Sequence, residues 1–200
     1  LANYCGFYGA IICNLREVNF SRHDIKFLSK FSLIFLVLYY GTYAFIGLSE
    51  KGGYYVAWLH YIDYVSCYRM VLLKSATYWL GAFGDYALIE GRFYLNMGGR
   101  LRIQLIYQCL GIGINSFWVA FVLADNINNI KQKIGWVIFG VLLITILNIT
   151  RIVILAKALF YKWPLLAKIE HHTFYNYGVY VIVLAMVFLH KRNQSKLSAQ

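Results

Sequence analysis

The sequence predicts an all-α polytopic integral membrane protein with at least four transmembrane helices, plus an interfacial or re-entrant segment and a small extramembrane β-hairpin. Three observations carry this. Of its 200 residues, 60% are hydrophobic and 18% aromatic, with a single proline. Mean hydropathy is +0.57, a balance foreign to soluble domains. Windows such as "FSLIFLVLYYGTYAFIGL", "IGWVIFGVLLITIL" and "FYNYGVYVIVLAMVFL" approach the roughly 20 apolar residues that a bilayer-spanning helix needs.

The chain reads as one membrane domain, residues 1–200, with spans at Phe27–Leu48, Ile106–Ala124, Ile134–Leu155 and Phe174–His190. Residues 49–105 form an outer-face segment with room for extra helices. Within it "YVSCYRMVLLKSATYWLGAF" (Tyr64–Phe83) is apolar but carries Arg69 and Lys74, so it lies in the interface, re-enters, or belongs to a pair of extra crossings. Leu101, Ile103 and Leu105 then alternate with Arg100, Arg102 and Gln104, and "NMGG" offers a tight turn. This is the pattern of a β-hairpin outside the lipid, running straight into Cys109. The polar connector Asp125–Lys133 is short and makes the second and third spans an antiparallel hairpin. The connector Ala156–Thr173 carries Pro164 and leads to the last span. The chain opens at Leu1 without a signal-peptide pattern, and "LANYCGFYGAIIC" reads as the end of a truncated helix.

The formal charge is +11. Its basic residues lie between the apolar runs with no nucleic-acid recognition motif, so anionic lipid headgroups account for them and nucleic acid is not an expected partner. Basic residues flanking the first span, in the connector Asp125–Lys133 and after the last span place both chain ends in the cytoplasm, although Lys157, Lys162 and Lys168 then face out. Cys5, Cys13, Cys67 and Cys109 form no CxxC pair and have no histidines at zinc spacing, which argues against a structural metal and a dithiol redox motif. A Cys67–Cys109 disulfide remains open in an oxidising compartment. No cofactor is indicated.

Polar groups recur at one level. Cys109 begins a span, Arg151 falls near the end of the next, and His172 stands just before the last, so the connector's reversal puts all three near one membrane face. Thr145, Asn148 and Arg151 form a three-residue polar stripe. Cys109, Gly113 and Ser116 form a small-residue stripe that admits a close neighbour. His172 and Asn176 share a face. Each residue also has a plain reading: a membrane cysteine usually packs, an arginine at a helix end snorkels to the headgroups, and an interfacial histidine is often inert. Asn148–Thr150 matches a glycosylation pattern but sits inside a span, which discounts it.

Taken in order, "CLGIG" (Cys109–Gly113), "NITRI" (Asn148–Ile152) and "HHTFYN" (His171–Asn176) resemble the exosortase/archaeosortase family of membrane cysteine transpeptidases. The resemblance covers roughly Arg100–Leu189 and, more loosely, "FLSKFSLIFLVLYYGTY". It implies Cys109 as nucleophile, Arg151 as electrostatic partner and a histidine as proton carrier, with Gly111 and Asn148 completing the motifs. Asn176 stands where the family more often has glycine four residues after its histidine. With a small residue expected at that place His172 fits better than His171, and the departure from glycine leaves the choice open. Leu110 replaces a small polar residue. The implied activity is cleavage of carboxyl-terminal sorting signals of secreted proteins at the outer face of a bacterial or archaeal inner membrane, with transfer through a thioester. Membrane lipids are the other expected partner. A thiol with pKa near 8.5 is mostly protonated at neutral pH, and a helix amino terminus and an arginine both favour its thiolate. The alternative is a non-enzymatic polytopic membrane protein, a small transporter or assembly subunit, whose polar stripes serve packing.

Overall fold

A computed structural model describes residues 21–49, 62–125, 129–163 and 171–197, with the side chains at 23, 171–176 and 195–197 excepted. The elements run α1 (Arg22–Ser49), α2 (Tyr64–Ala82), β1 (Ala87–Glu90), β2 (Tyr94–Met97), β3 (Leu101–Gln104), a 3-10 turn (Tyr107–Leu110), α3 (Ile112–Ala124), α4 (Ile130–Phe160) and α5 (His171–Leu197). Cys5, Cys13 and Pro164 lie outside the described residues.

Local chemistry sets the helix ends. The Ser21 amide donates to the Asp24 carboxylate at the start of α1, one arm of a capping box. Asp63 accepts from the Ser66 amide and Asn129 from the Lys131 amide, capping α2 and α4. Helix α2 ends with Gly84 at φ +84° and the Asp85 amide on the Leu80 carbonyl, a Schellman closure. Helix α4 ends the same way, with the Trp163 amide on the Ala158 carbonyl and Lys162 in the left-handed region.

Among the described residues, Asp24–Ser49 and Ile130–Phe160 are long and apolar enough to cross a membrane. Helix α1 leaves Leu33, Val37 and Tyr40 exposed, and α4 does the same with Ile138, Leu142 and Ile146. The expected span Ile106–Ala124 is not one helix. Ile106 is extended, the 3-10 turn follows, and Gly111 at φ +69° separates the turn from the 13 residues of α3. A glycine in the left-handed region stops one helical hydrogen-bond pattern and starts another, which an apolar composition does not reveal. The expected span Phe174–His190 lies within α5.

Helices α1, α3, α4 and α5 pack antiparallel in a chain of contacts. Phe27 and Phe31 of α1 meet Phe121 and Phe117 of α3 edge to face. Between α3 and α4 the Trp118 indole donates to the Trp136 carbonyl at 3.0 Å and lies over Gly140, where a Cβ would come within 1.8 Å of its nitrogen. At the other end of the same pair, Asn148 reaches Leu110. Trp136 of α4 meets His190 of α5 with ring centroids 4.9 Å apart.

Helix α2 lies beside the carboxyl-terminal half of α4, with the Tyr68 hydroxyl 3.1 Å from the Thr145 hydroxyl and the Lys157 ammonium 2.9 Å from the Asp85 carboxylate. The described part of 49–105 is one helix and a sheet. The expected hairpin gains a third strand, order β1-β2-β3, all antiparallel. Gly91 at φ +63° turns β1 into β2, and Gly98 and Gly99, both with positive φ, make the turn read from "NMGG". Ala87, Ile89, Leu95, Met97, Leu101 and Ile103 form the inner face and share a core with Leu72, Leu73, Ala76, Ile152 and Val153. On the outer face Arg102 pairs with Glu90 at 3.0 Å. Cys67 and Cys109 are both free thiols, Cys67 exposed and Cys109 partly buried, which removes the disulfide.

Candidate functional site

The site assembles at the break before α3. Because Gly111 has no side chain, Asn148 of α4 fits against its backbone; a Cβ there would lie 2.4 Å from the Asn148 amide nitrogen. Asn148 is buried and donates to the Leu110 carbonyl at 3.2 Å. This bond satisfies an acceptor that the change from 3-10 turn to α-helix leaves without a helical partner. The first two motifs are thereby in contact: the glycine two residues after Cys109, and the asparagine three residues before Arg151.

Arg151 lines a cavity of about 220 Å³ together with Gly111, Asn148 and Gln108, the tyrosines Tyr39, Tyr43 and Tyr107, and Val179 and Tyr180 of α5. Four helices and the 3-10 turn thus converge on it. Cys109 itself packs against the apolar core that contains Leu110, Ile152 and Val153, between cavity-lining Gln108 and Gly111. His171, His172 and Asn176 fall in the first two turns of α5, and their side chains lie outside the described residues. The helical period puts position 172 in register with Val179, two turns on. A wider apolar cavity of about 430 Å³, lined by Phe35, Phe117, Val183 and Leu184, shares Gly113, Ile114 and Tyr180 with the polar one.

Two expected stripes are redrawn. Residues three apart on an α-helix turn back by about 60° per step, so Thr145, Asn148 and Arg151 fan out: Thr145 meets Tyr68 of α2, Asn148 meets Leu110, and Arg151 enters the cavity. Cys109 precedes the Gly111 break and is off α3, so it shares no helical face with Gly113 and Ser116. Gly113 does admit a neighbour, with Tyr39 of α1 at 3.5 Å from its Cβ position.

Two polar features escaped the sequence. Arg69 is fully buried on the apolar face of α2, its guanidinium carbon 4.3 Å from the ring centroids of both Phe93 and Tyr107. Its presence in an apolar run was legible; its inward direction was not. At the opposite end of the bundle, buried Asp125 accepts from Lys191 at 3.0 Å and from Gln194, and lies 3.0 Å from the His190 ring nitrogen. Burial raises the pKa of Asp125, but the hydrogen bonds from His190, Lys191 and Gln194 outweigh it and hold the carboxyl well below its ordinary range. Nothing in the connector's composition distinguishes Asp125 as the residue that α5 grips. Among the described residues no group of three or more histidine, cysteine or carboxylate side chains is placed to hold a metal.

The class these observations define is a mostly helical protein with two helices long and apolar enough to span a membrane, a small three-stranded sheet, and a polar cavity where its helices converge. No family model, curated protein or solved structure matches the chain.

Proposed function

We propose that the protein is a four-span membrane cysteine protease and transpeptidase of the exosortase/archaeosortase kind, acting on carboxyl-terminal sorting signals of secreted proteins at the outer face of a bacterial or archaeal inner membrane. The observation that carries this reading is the contact of Gly111 and Leu110 with Asn148, which sets the Cys109 turn beside the motif that supplies Arg151. Exposed apolar side chains on α1, α4 and α5, among them Val37, Leu142 and Leu184, support burial of these helices in lipid. The apolar cavity that adjoins the polar one suits the hydrophobic helix of a sorting signal, and the basic surface suits anionic lipid.

In this mechanism the Cys109 thiolate attacks the scissile carbonyl carbon, forming a C–S bond and an oxyanion. Arg151 stabilises that charge or holds a substrate carboxylate. The C–N bond then breaks as His172, or His171 in its place, donates a proton to the leaving amine. An amine or water attacks the resulting thioester and frees the thiol.

A second reading is favoured by one observation: Cys109 packs against an apolar core, as a structural cysteine does. It makes the chain a non-enzymatic membrane protein, a transporter or assembly subunit. Cleavage of a co-expressed sorting-signal reporter tests the two. Loss of cleavage in Cys109→Ser, Arg151→Ala and His172→Ala, with the proteins still accumulating, supports the enzyme. Unchanged function in Cys109→Ser supports the packing role.

A further inference from the structure

Arg69 sits at the centre of the buried face of α2, between Val65 and Leu72. Its Nε, Nη1 and Nη2 atoms are buried and make no hydrogen bond among the described residues. The described carboxylates are engaged elsewhere: Asp24 and Asp63 at helix starts, Glu90 with Arg102, Asp85 with Lys157, and Asp125 with Lys191. Among the described residues Arg69 thus has no carboxylate partner, and a buried charge so placed opposes folding, where an apolar side chain of similar length is often better tolerated. What Arg69 gains instead is its place between two rings. Phe93 belongs to the turn joining β1 and β2; Tyr107 opens the 3-10 turn that carries Cys109 and itself lines the polar cavity. Its guanidinium carbon lies over both rings at 4.3 Å, a double contact that suits a planar, delocalised cation better than a compact ammonium.

We infer that Arg69 is a positioning residue, which fixes the Tyr107–Leu110 turn, and through it Cys109, by stacking on Tyr107. The inference rests on the enzymatic reading for its catalytic consequence, but not for its structural one. Misplacing a reacting group by about 1 Å costs on the order of 100-fold in rate, so the effect belongs to kcat rather than KM.

The test uses the full chain in detergent or nanodiscs, with Cys5 and Cys13 changed to serine, and compares Arg69→Met, Arg69→Lys, Tyr107→Leu and Phe93→Leu. Arg69→Met should keep or raise the thermal midpoint while kcat on a sorting-signal peptide falls roughly 10- to 100-fold and KM moves less than about twofold. Arg69→Lys should not restore kcat. Tyr107→Leu should reproduce the loss, and the double variant with Arg69→Met should add little to it. The alkylation rate of Cys109 relative to exposed Cys67 should change in Arg69→Met and Tyr107→Leu more than in Phe93→Leu. Wild-type kcat in Arg69→Met, or kcat and thermal midpoint falling in parallel in Arg69→Met, Tyr107→Leu and Phe93→Leu, overturns the inference. If Cys109→Ser retains cleavage, the enzymatic reading fails instead. The alkylation ratio then still decides whether Arg69 sets the turn, and an unchanged ratio rejects it.

Discussion

The amide nitrogen of Asn148 lies 2.4 Å from the place a Cβ on Gly111 would occupy. Helix α4 and the Cys109 turn are thus interlocked through a missing side chain. Gly111→Ala meets both a steric and a conformational penalty. The left-handed backbone at φ +69° costs an L-residue about 1–2 kcal/mol, and Asn148 must also move. The expected outcome is a lower thermal midpoint and loss of sorting-signal cleavage, measured on the same preparation.

Asn148→Ala removes the bond to the Leu110 carbonyl and leaves a buried acceptor unpaired, at roughly 1–3 kcal/mol. Asn148→Asp keeps the size but replaces the donor with an acceptor facing a carbonyl. It should be the worse of the two in a denaturation midpoint, the reverse of what a freely hydrated side chain would give.

Gly140→Ala should separate packing from chemistry. The added methyl would meet the Trp118 indole near the end of the bundle where Asp125 lies, away from the Cys109 turn. Overpacking of this kind costs about 1–3 kcal/mol. Trp118 fluorescence should shift and stability should fall, while cleavage per folded molecule holds.

Asp125 predicts a pH dependence. Its pKa in the folded protein lies below the ordinary carboxylate value of about 3.9, so its contribution to stability is full above that value and is lost as pH falls through the folded pKa. Asp125→Ala should cost roughly 1–3 kcal/mol at neutral pH, since it removes the buried acceptor that His190, Lys191 and Gln194 share. Unfolding curves taken from pH 6 to pH 2 should slope less steeply in the variant than in the parent.

Helical runs and the "NMGG" turn were legible because both are local: apolar length for the first, and two adjacent glycines able to take positive φ for the second. The Cys109–Gly111 and Asn148–Arg151 stretches, which the fold brings together, were legible as residue types at a spacing. What was not legible depends on long-range space. Gly111 reads as an ordinary glycine in an apolar run until Asn148, 37 residues later, is seen to occupy its missing side chain. Arg69 reads as a blemish in a candidate span until the sheet folds over it and supplies Phe93 as its second ring. The third strand was missed because Ala87–Glu90 carries too little alternation to stand out before its partner is known.

The shortness of α3 has a bearing on where water meets the membrane. At 1.5 Å per residue its 13 residues extend about 20 Å, against a hydrocarbon core of about 30 Å. In the proposed arrangement, with the Asp125, Lys133 and Lys191 end at one headgroup layer, the amino-terminal end of α3, where the Tyr107–Leu110 turn joins it, is recessed about 10 Å below the opposite one. The lipid beside it must thin, or the polar cavity must carry a column of water inward. If the proposed cleavage holds, a peptide bond just inside the apolar stretch of a substrate is reached where it lies, without its helix being lifted toward the surface.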